Sequence, residues 1–325
     1  MNNKEFINSW FDCKVSNRKV RRHSYGHLCA DDDAVYSYGH HFPLVTLCEN
    51  GFLLNGDRYS ITTSSHQSLT RSVCMEACEN GNLKFAVIPF TVLNNAGLMP
   101  VRKIEIIDKT EEQYRDVEYT DKDGKKRIRQ EHLLGGSVIN FSNRHFLSSN
   151  DPTATWGNGY FLTELTEVVK TVDEALESLK PVLVRQLEDR LEDPEIQLDS
   201  ILRQGEWFFV KVGQQAIVSS MEFCKGITTM ERIAMRNGYL PSGDSSRPHH
   251  KATRLINVGE GDGCYFDERE NRVVDYGIES GFYCRGTIRH DNREHRMLKL
   301  GNGREWYLAL RNRQVRSWSY DGRVD

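Results

Sequence analysis

The segments Phe42-Pro-Leu-Val-Thr-Leu47 and Gly51-Phe-Leu-Leu-Asn-Gly56, then Thr62-Thr-Ser-Ser-His66 and the apolar run Leu83 to Leu93, decide how this chain is read. The first two are aliphatic and β-branched runs punctuated by Asn and Gly, as strands are. Asn55-Gly56-Asp57 marks a tight turn. Beyond it, Leu69, Val73, Cys74 and Ala77 recur at helical spacing, with Thr62 or Thr63 as the N-cap and Asn80-Gly81 as the stop. The apolar run from Leu83 then reads as a strand again. Strands entering and leaving one main helix predict an α+β fold.

Upstream, Phe6, Ile7, Trp10 and Phe11 predict a short helix, and Val35-Tyr-Ser-Tyr38 a further strand. Downstream, Val101 to Ile107 alternates as a strand does, and Asp121-Lys-Asp-Gly124 sits between the arms of a polar hairpin. Val138-Ile-Asn-Phe141 is another short strand. Thr171-Val-Asp-Glu174 is a capping box, after which Pro181 either kinks the helix or opens a second one. Between Leu183 and Asp199, six acids stand against two arginines. From Trp207 onward, aromatic and β-branched runs return at intervals of about ten residues, the pattern of a small antiparallel barrel or sandwich. Within that stretch, Thr228-Thr-Met-Glu231 caps a short helix ending at Asn237-Gly238. The expected organisation is a β-rich α+β domain over 1–160, a helical connector over 161–200 and a mostly β domain over 201–325.

A chain of 325 residues is long enough for such a division and for a core without disulfides. Its net charge of −3 excludes a whole-protein polyanion binder and leaves room for a local basic patch. No secretory leader or membrane-spanning run is present in the sequence. Eight cysteines without an export signal predict reduced thiols and a cytoplasmic protein that does not engage membranes.

Three groups of residues carry candidate chemistry. His23, His27, His40, His41 and His66 fall within 44 residues, and Ser24-Tyr-Gly-His27 is echoed by Ser37-Tyr-Gly-His40. At a helix entry rich in hydroxyls, His66 with His40, Thr63 and Arg71 forms the expected catalytic or phosphate-binding set, because helix N-termini favour anions. The second group is the segment from Arg285 to Arg316, where nine Lys/Arg against three acids give about +6. Arg285, Arg289, Arg311, Arg313 and Trp306 are the expected nucleic-acid contacts, since single strands are held by phosphate contacts and base stacking. The third is His249-His250 with His290 and His295, where His290 and His295 are the expected ligands of one divalent transition metal. Cys74-x₃-Cys78 places two thiols on one helix face, either as buried core residues or, with His66, as part of a zinc site. Asp31-Asp-Asp33 is a solvated turn or a Mg²⁺ ligand cluster. Signatures of P-loop NTPases, dinucleotide oxidoreductases, zincins and α/β-hydrolases are absent from the sequence.

Ala34-Val-Tyr-Ser-Tyr-Gly-His-His-Phe-Pro-Leu44 with Asn55-Gly-Asp-Arg-Tyr-Ser-Ile-Thr-Thr-Ser-Ser-His66 resembles uncharacterised proteins of phages, plasmids and bacteria. Arg203-Gln-Gly-Glu-Trp-Phe-Phe-Val210, with Arg285-Gly-Thr-Ile-Arg-His290 and His295, is similar to small uncharacterised proteins with a Gln-Gly-Asp strand and two histidine segments. Glu206 stands there in place of Asp. The resemblance implies a mobile-element origin and brings no activity with it. The expected function is that of a phage or mobile-element accessory protein, a histidine-dependent enzyme or binder acting on a phosphate-bearing ligand, nucleic acid or nucleotide. The alternative is a non-catalytic interaction protein that binds a host protein through its β domain.

Overall fold

A computed structural model describes all residues except 58, 82, 112, 121–125, 134, 151–159, 190–199, 212–233, 242–247, 259–263, 268–271, 276–280, 292–296, 315, 320–321 and 325. The fold is α+β. Helix α1 (Asn3–Val15) starts at a capping box, with Asn2 accepting from the Glu5 N–H and Glu5 accepting from the Asn2 N–H. Its buried face, Phe6, Ile7, Trp10 and Phe11, follows the one-sided helical spacing read from the sequence.

An antiparallel meander follows: β1 (His23–Tyr25), β2 (Leu28–Ala30), β3 (Ala34–Ser37), β4 (Phe42–Cys48) and β5 (Gly51–Asn55). Helix α2 (Ile61–Gly81) then crosses over and returns the chain as β6 (Lys84–Ile88), parallel to β5. A parallel neighbour requires such a crossover. Gly51 permits the close pairing, because a Cβ there would lie 1.9 Å from the Lys84 carbonyl oxygen. The cap of α2 is Ser60 rather than Thr62 or Thr63, its hydroxyl accepting from the Thr63 N–H at 3.2 Å. The strand expected from Leu83 to Leu93 stops at Ile88. Pro89 follows, and α3 (Phe90–Asn95) begins, with Asn55 and Asp57 accepting its first two N–H groups.

The second sheet opens with β7 (Ile104–Thr110). The expected polar hairpin is a separate ribbon, β8 (Gln113–Thr120) and β9 (Lys126–Leu133). Strands β10 (Gly136–Phe141), β11 (Arg144–Asn150) and β12 (Tyr160–Glu164) extend the sheet from β7. Leu53, Ala86 and Ile88 of the first sheet pack against Ile104, Ile139, Phe146 and Leu162 of the second. Helices α1 and α2 cover the first sheet's other face with a cluster that includes Trp10, Val73 and Cys74. Helix α4 (Val172–Leu179) covers the second sheet through Val172, Ala175 and Leu179. The order of layers is therefore helices, sheet, sheet, helix. Thr171 caps α4 as its sequence predicts, and Pro181 opens a separate α5 (Val182–Glu188).

The third sheet uses β13 (Ile201–Gln204), β14 (Trp207–Lys211), β15 (Met235–Tyr239) and β16 (His250–Val258). After the ribbon β17 (Cys264–Asp267) and β18 (Arg272–Asp275), it adds β19 (Gly281–His290), β20 (Leu298–Lys299) and β21 (Trp306–Arg311). Its order is β13-β14-β21-β19-β16-β15, with β20 beside β19. Of the expected barrel or sandwich, a closed barrel does not form among the described residues, where β13 and β15 are separate edges of an open sheet. Asn237-Gly238, read as a helix stop, lies inside β15, and the proposed start of that helix falls outside the described residues. Asn237 takes a left-handed φ of 52°, and a Cβ on Gly238 would meet Leu255 at 2.7 Å. The same residue types that end helices here serve an irregular strand. Finally β22 (Arg316–Ser319) pairs with β12 and β23 (Gly322–Val324) with β22, so the last strands complete the second sheet.

Candidate nucleic-acid interface

The N-terminal histidines are brought together only in part. Leu28 pairs with Ser37, so the two Ser-Tyr-Gly-His copies meet at one end of the first sheet. There His27 stacks on Tyr38 at 4.7 Å, whereas His40 faces Asp31 and Tyr36. His66 lies in the second turn of α2, on the stripe that also buries Thr63, Thr70, Val73 and Cys74. Its Nδ1 shares a 2.8 Å hydrogen bond with the Ser37 hydroxyl, and its carbonyl accepts from Thr70. Burial first, and His27 second, hold the imidazole below its ordinary pKa, which favours the neutral ring. Thr63 is bonded to Ser60. Arg71 points elsewhere, to Glu111 at 3.5 Å. The acidic triplet is engaged within the fold: Asp31 accepts from the N–H groups of Asp33 and Ala34, Asp32 pairs with Lys14, and Asp33 pairs with Arg102.

The third sheet arranges its charge differently. Arg236 of β15 is the direct partner of Arg254 in β16, and Arg254 is the partner of Arg285 in β19. Three arginines therefore lie in one row across three adjacent strands. A parallel row pairs Tyr239 with Lys251 and Lys251 with Arg289. Both rows sit on the side opposite the core built by Ala252, Leu255, Cys284 and Ile288. Like charges placed directly opposite repel, with side chains about 5 Å apart at Cβ. Among the described residues, no carboxylate forms an ion pair with Arg236, Arg254, Lys251 or Arg289. Aromatic rings contact two of the cations: Arg285 lies 5.1 Å from the Trp306 ring and Lys251 4.8 Å from that of Tyr239. The Tyr239 hydroxyl donates to Asp291 at 3.2 Å, and Arg254 donates to the Ala234 carbonyl at 3.5 Å. Trp306 is only 8% exposed and sits beneath Arg285, whereas Tyr239 is 40% exposed on the edge strand. The more exposed ring of the two is therefore that of Tyr239, one face of which meets Lys251.

The remaining expected basic contacts go elsewhere. Arg313 pairs with Glu167 at 3.2 Å. Arg311 is the partner of Trp207 on the sheet's other side and acts on Glu206. Glu206 lies 3.4 Å from Nδ1 of the buried His250. Burial raises the Glu206 carboxyl, but the His250 hydrogen bond and charge, helped by Arg311, outweigh it and hold the group below its usual value. His290 sits edge-on to His250 at 4.8 Å and stacks on His249 at 5.5 Å. Among the described residues, no cluster of three or more His, Cys, Asp or Glu side chains can hold a metal ion, and His295 is outside them. Cys74 and Cys78 are buried, with their sulfurs 3.9 Å apart.

Arg236, Tyr239, Lys251 and Arg254 were not legible as site residues. They are dispersed over 236–254, and only strand register gathers them with Arg285 and Arg289. The chain matches no protein family model, no curated protein and no solved structure.

Proposed function

We propose that the protein binds single-stranded nucleic acid on the basic face of its third sheet. What carries this reading is the Arg236–Arg254–Arg285 row, with Lys251 and Arg289 beside it. Arg236 opposite Arg254 and Lys251 opposite Arg289 cost stability in the free protein, and a polyanion would relieve that cost while releasing its counterions. Tyr239 at the rim supplies a face for one base, the combination that sequence-tolerant single-strand binders use.

The test is fluorescence anisotropy of a labelled single-stranded oligonucleotide over a range of salt concentrations. Each cation that neutralises a phosphate adds about −0.7 to the slope of log K against log salt for single strands. Replacing Arg236, Arg254 and Arg285 together by Gln should flatten the slope by about 2, and Tyr239→Ala should weaken binding by about 1–3 kcal/mol. Failure to bind the oligonucleotide at low salt would overturn the proposal and leave the β-sheet face to a protein partner.

A further inference from the structure

We infer a second, separate site: the cleft between α2 and the second sheet takes a small molecule bearing a phosphate group. The cleft has a volume of about 340 Å³, the scale of a small-ligand site. Its lining is polar where ordinary ligand pockets are mostly apolar. Lys109, Ser137 and Ser148 are successive cross-strand partners on β7, β10 and β11. One lysine and two serines are thereby set in a single row, with the Lys109 ammonium 3.7 Å from the Phe85 ring centroid. Arg71 reaches the same space from α2.

The charge balance identifies the class of ligand. Arg71 and Lys109 both pair with one carboxylate, Glu111, at 3.5 and 3.3 Å. Among the described lining residues Glu111 is the one acid against Arg71 and Lys109, so these residues keep a net positive charge. Ser137 and Ser148 are 5% and 3% exposed, yet their hydroxyls bond to no other described residue. An incoming phosphate group would take over the cations that Glu111 now holds and accept from both serines. Arg offers two parallel N–H groups to such an oxyanion, which suits a tetrahedral group carrying two charges. Inorganic phosphate and a phosphomonoester share this chemistry. None of these residues belongs to the basic face of the third sheet, so the two proposals stand or fall separately.

Calorimetric titration with inorganic phosphate and with adenosine 5′-monophosphate tests the site in the full-length protein. Binding of either probe should weaken at least tenfold in Arg71→Ala and tighten several-fold in Glu111→Gln. Equal affinity for both probes would make phosphate itself the ligand; tighter binding of the nucleotide would make it a phosphomonoester. Arg71 is half-exposed, and an unchanged melting temperature in Arg71→Ala would show that the fold is intact. No heat from either probe, or the same affinity in both variants as in the parent, would overturn the inference.

Discussion

The first sheet and the third sheet both carry histidines at strand ends, yet they treat polar groups in opposite ways. Around His66 the hydrogen-bonding groups are engaged internally: Ser37 with the imidazole, Ser60 with Thr63, Thr70 with the His66 carbonyl. On the third sheet, Arg236, Arg254 and Arg285 face one another across strands, and the neighbouring row repeats this with Lys251 and Arg289. A buried polar group with its partner holds the fold together. Like charges directly opposite one another, as in Arg236–Arg254 and Lys251–Arg289, weaken the sheet instead. Residue type alone does not separate the two cases; the way each group is satisfied does.

That contrast can be broken at several points. The largest expected effect is at Glu206, which lies in the third sheet region but belongs with the satisfied kind. Glu206→Ala strips His250 of a largely buried charged partner and should cost about 2–3 kcal/mol, read by chemical denaturation. Oligonucleotide affinity should not change, and a large loss of affinity would place the pair in the binding surface. His66→Ala comes next. It leaves the buried Ser37 hydroxyl without its imidazole and should cost about 1–2 kcal/mol. Unchanged stability there would return His66 to the candidate catalytic residues.

The smallest effect concerns Asp57, which caps α3 while one carboxylate oxygen, Oδ1, is buried without a partner among the described residues. Burial outweighs the hydrogen bonds from Thr91 and pushes its pKa up. A carboxyl with a raised folded-state pKa binds its proton more tightly in the native state. Its contribution to stability is therefore full below the unfolded-state value, about 3.9, and is lost as pH rises through the folded-state value. Asp57→Asn should remove that decline from a melting-temperature profile measured between acid and neutral pH. A profile identical to the parent's would show that Asp57 is not desolvated.

Much of the fold was legible because its signals are local. The α1 stripe, the strands ended by Asn-Gly, and Thr171 and Pro181 at the helix starts all depend on neighbours within a few residues. The misreadings have local causes as well. Asn237-Gly238 is a helix stop by residue type, but its left-handed backbone serves a strand irregularity. Strand β11 was missed because its ends, Arg144-His145 and Ser148-Ser-Asn150, look like loop. Its hairpin depends on Ser142 and Asn143 both taking positive φ, at 54° and 64°. The barrel expectation counted strands correctly in kind, yet closure depends on whether β13 and β15 meet, which spacing does not encode. The basic face was hidden for the same reason. The run from Arg285 to Arg316 looked like one patch, whereas alternation sends Arg311 to the opposite side of the sheet and register recruits Arg236 and Arg254 from earlier strands.

The most direct measurement is thermal melting of the parent and of Arg254→Gln, each with and without a single-stranded oligonucleotide at low salt. Arg254 is the direct cross-strand partner of Arg236, so its replacement removes that repulsion. The variant should be at least as stable as the parent when free, by up to about 1 kcal/mol, because like charges no longer oppose one another. It should lose most of the rise in melting temperature that the oligonucleotide gives the parent. A variant less stable than the parent when free, with the oligonucleotide-induced rise intact, would contradict the account.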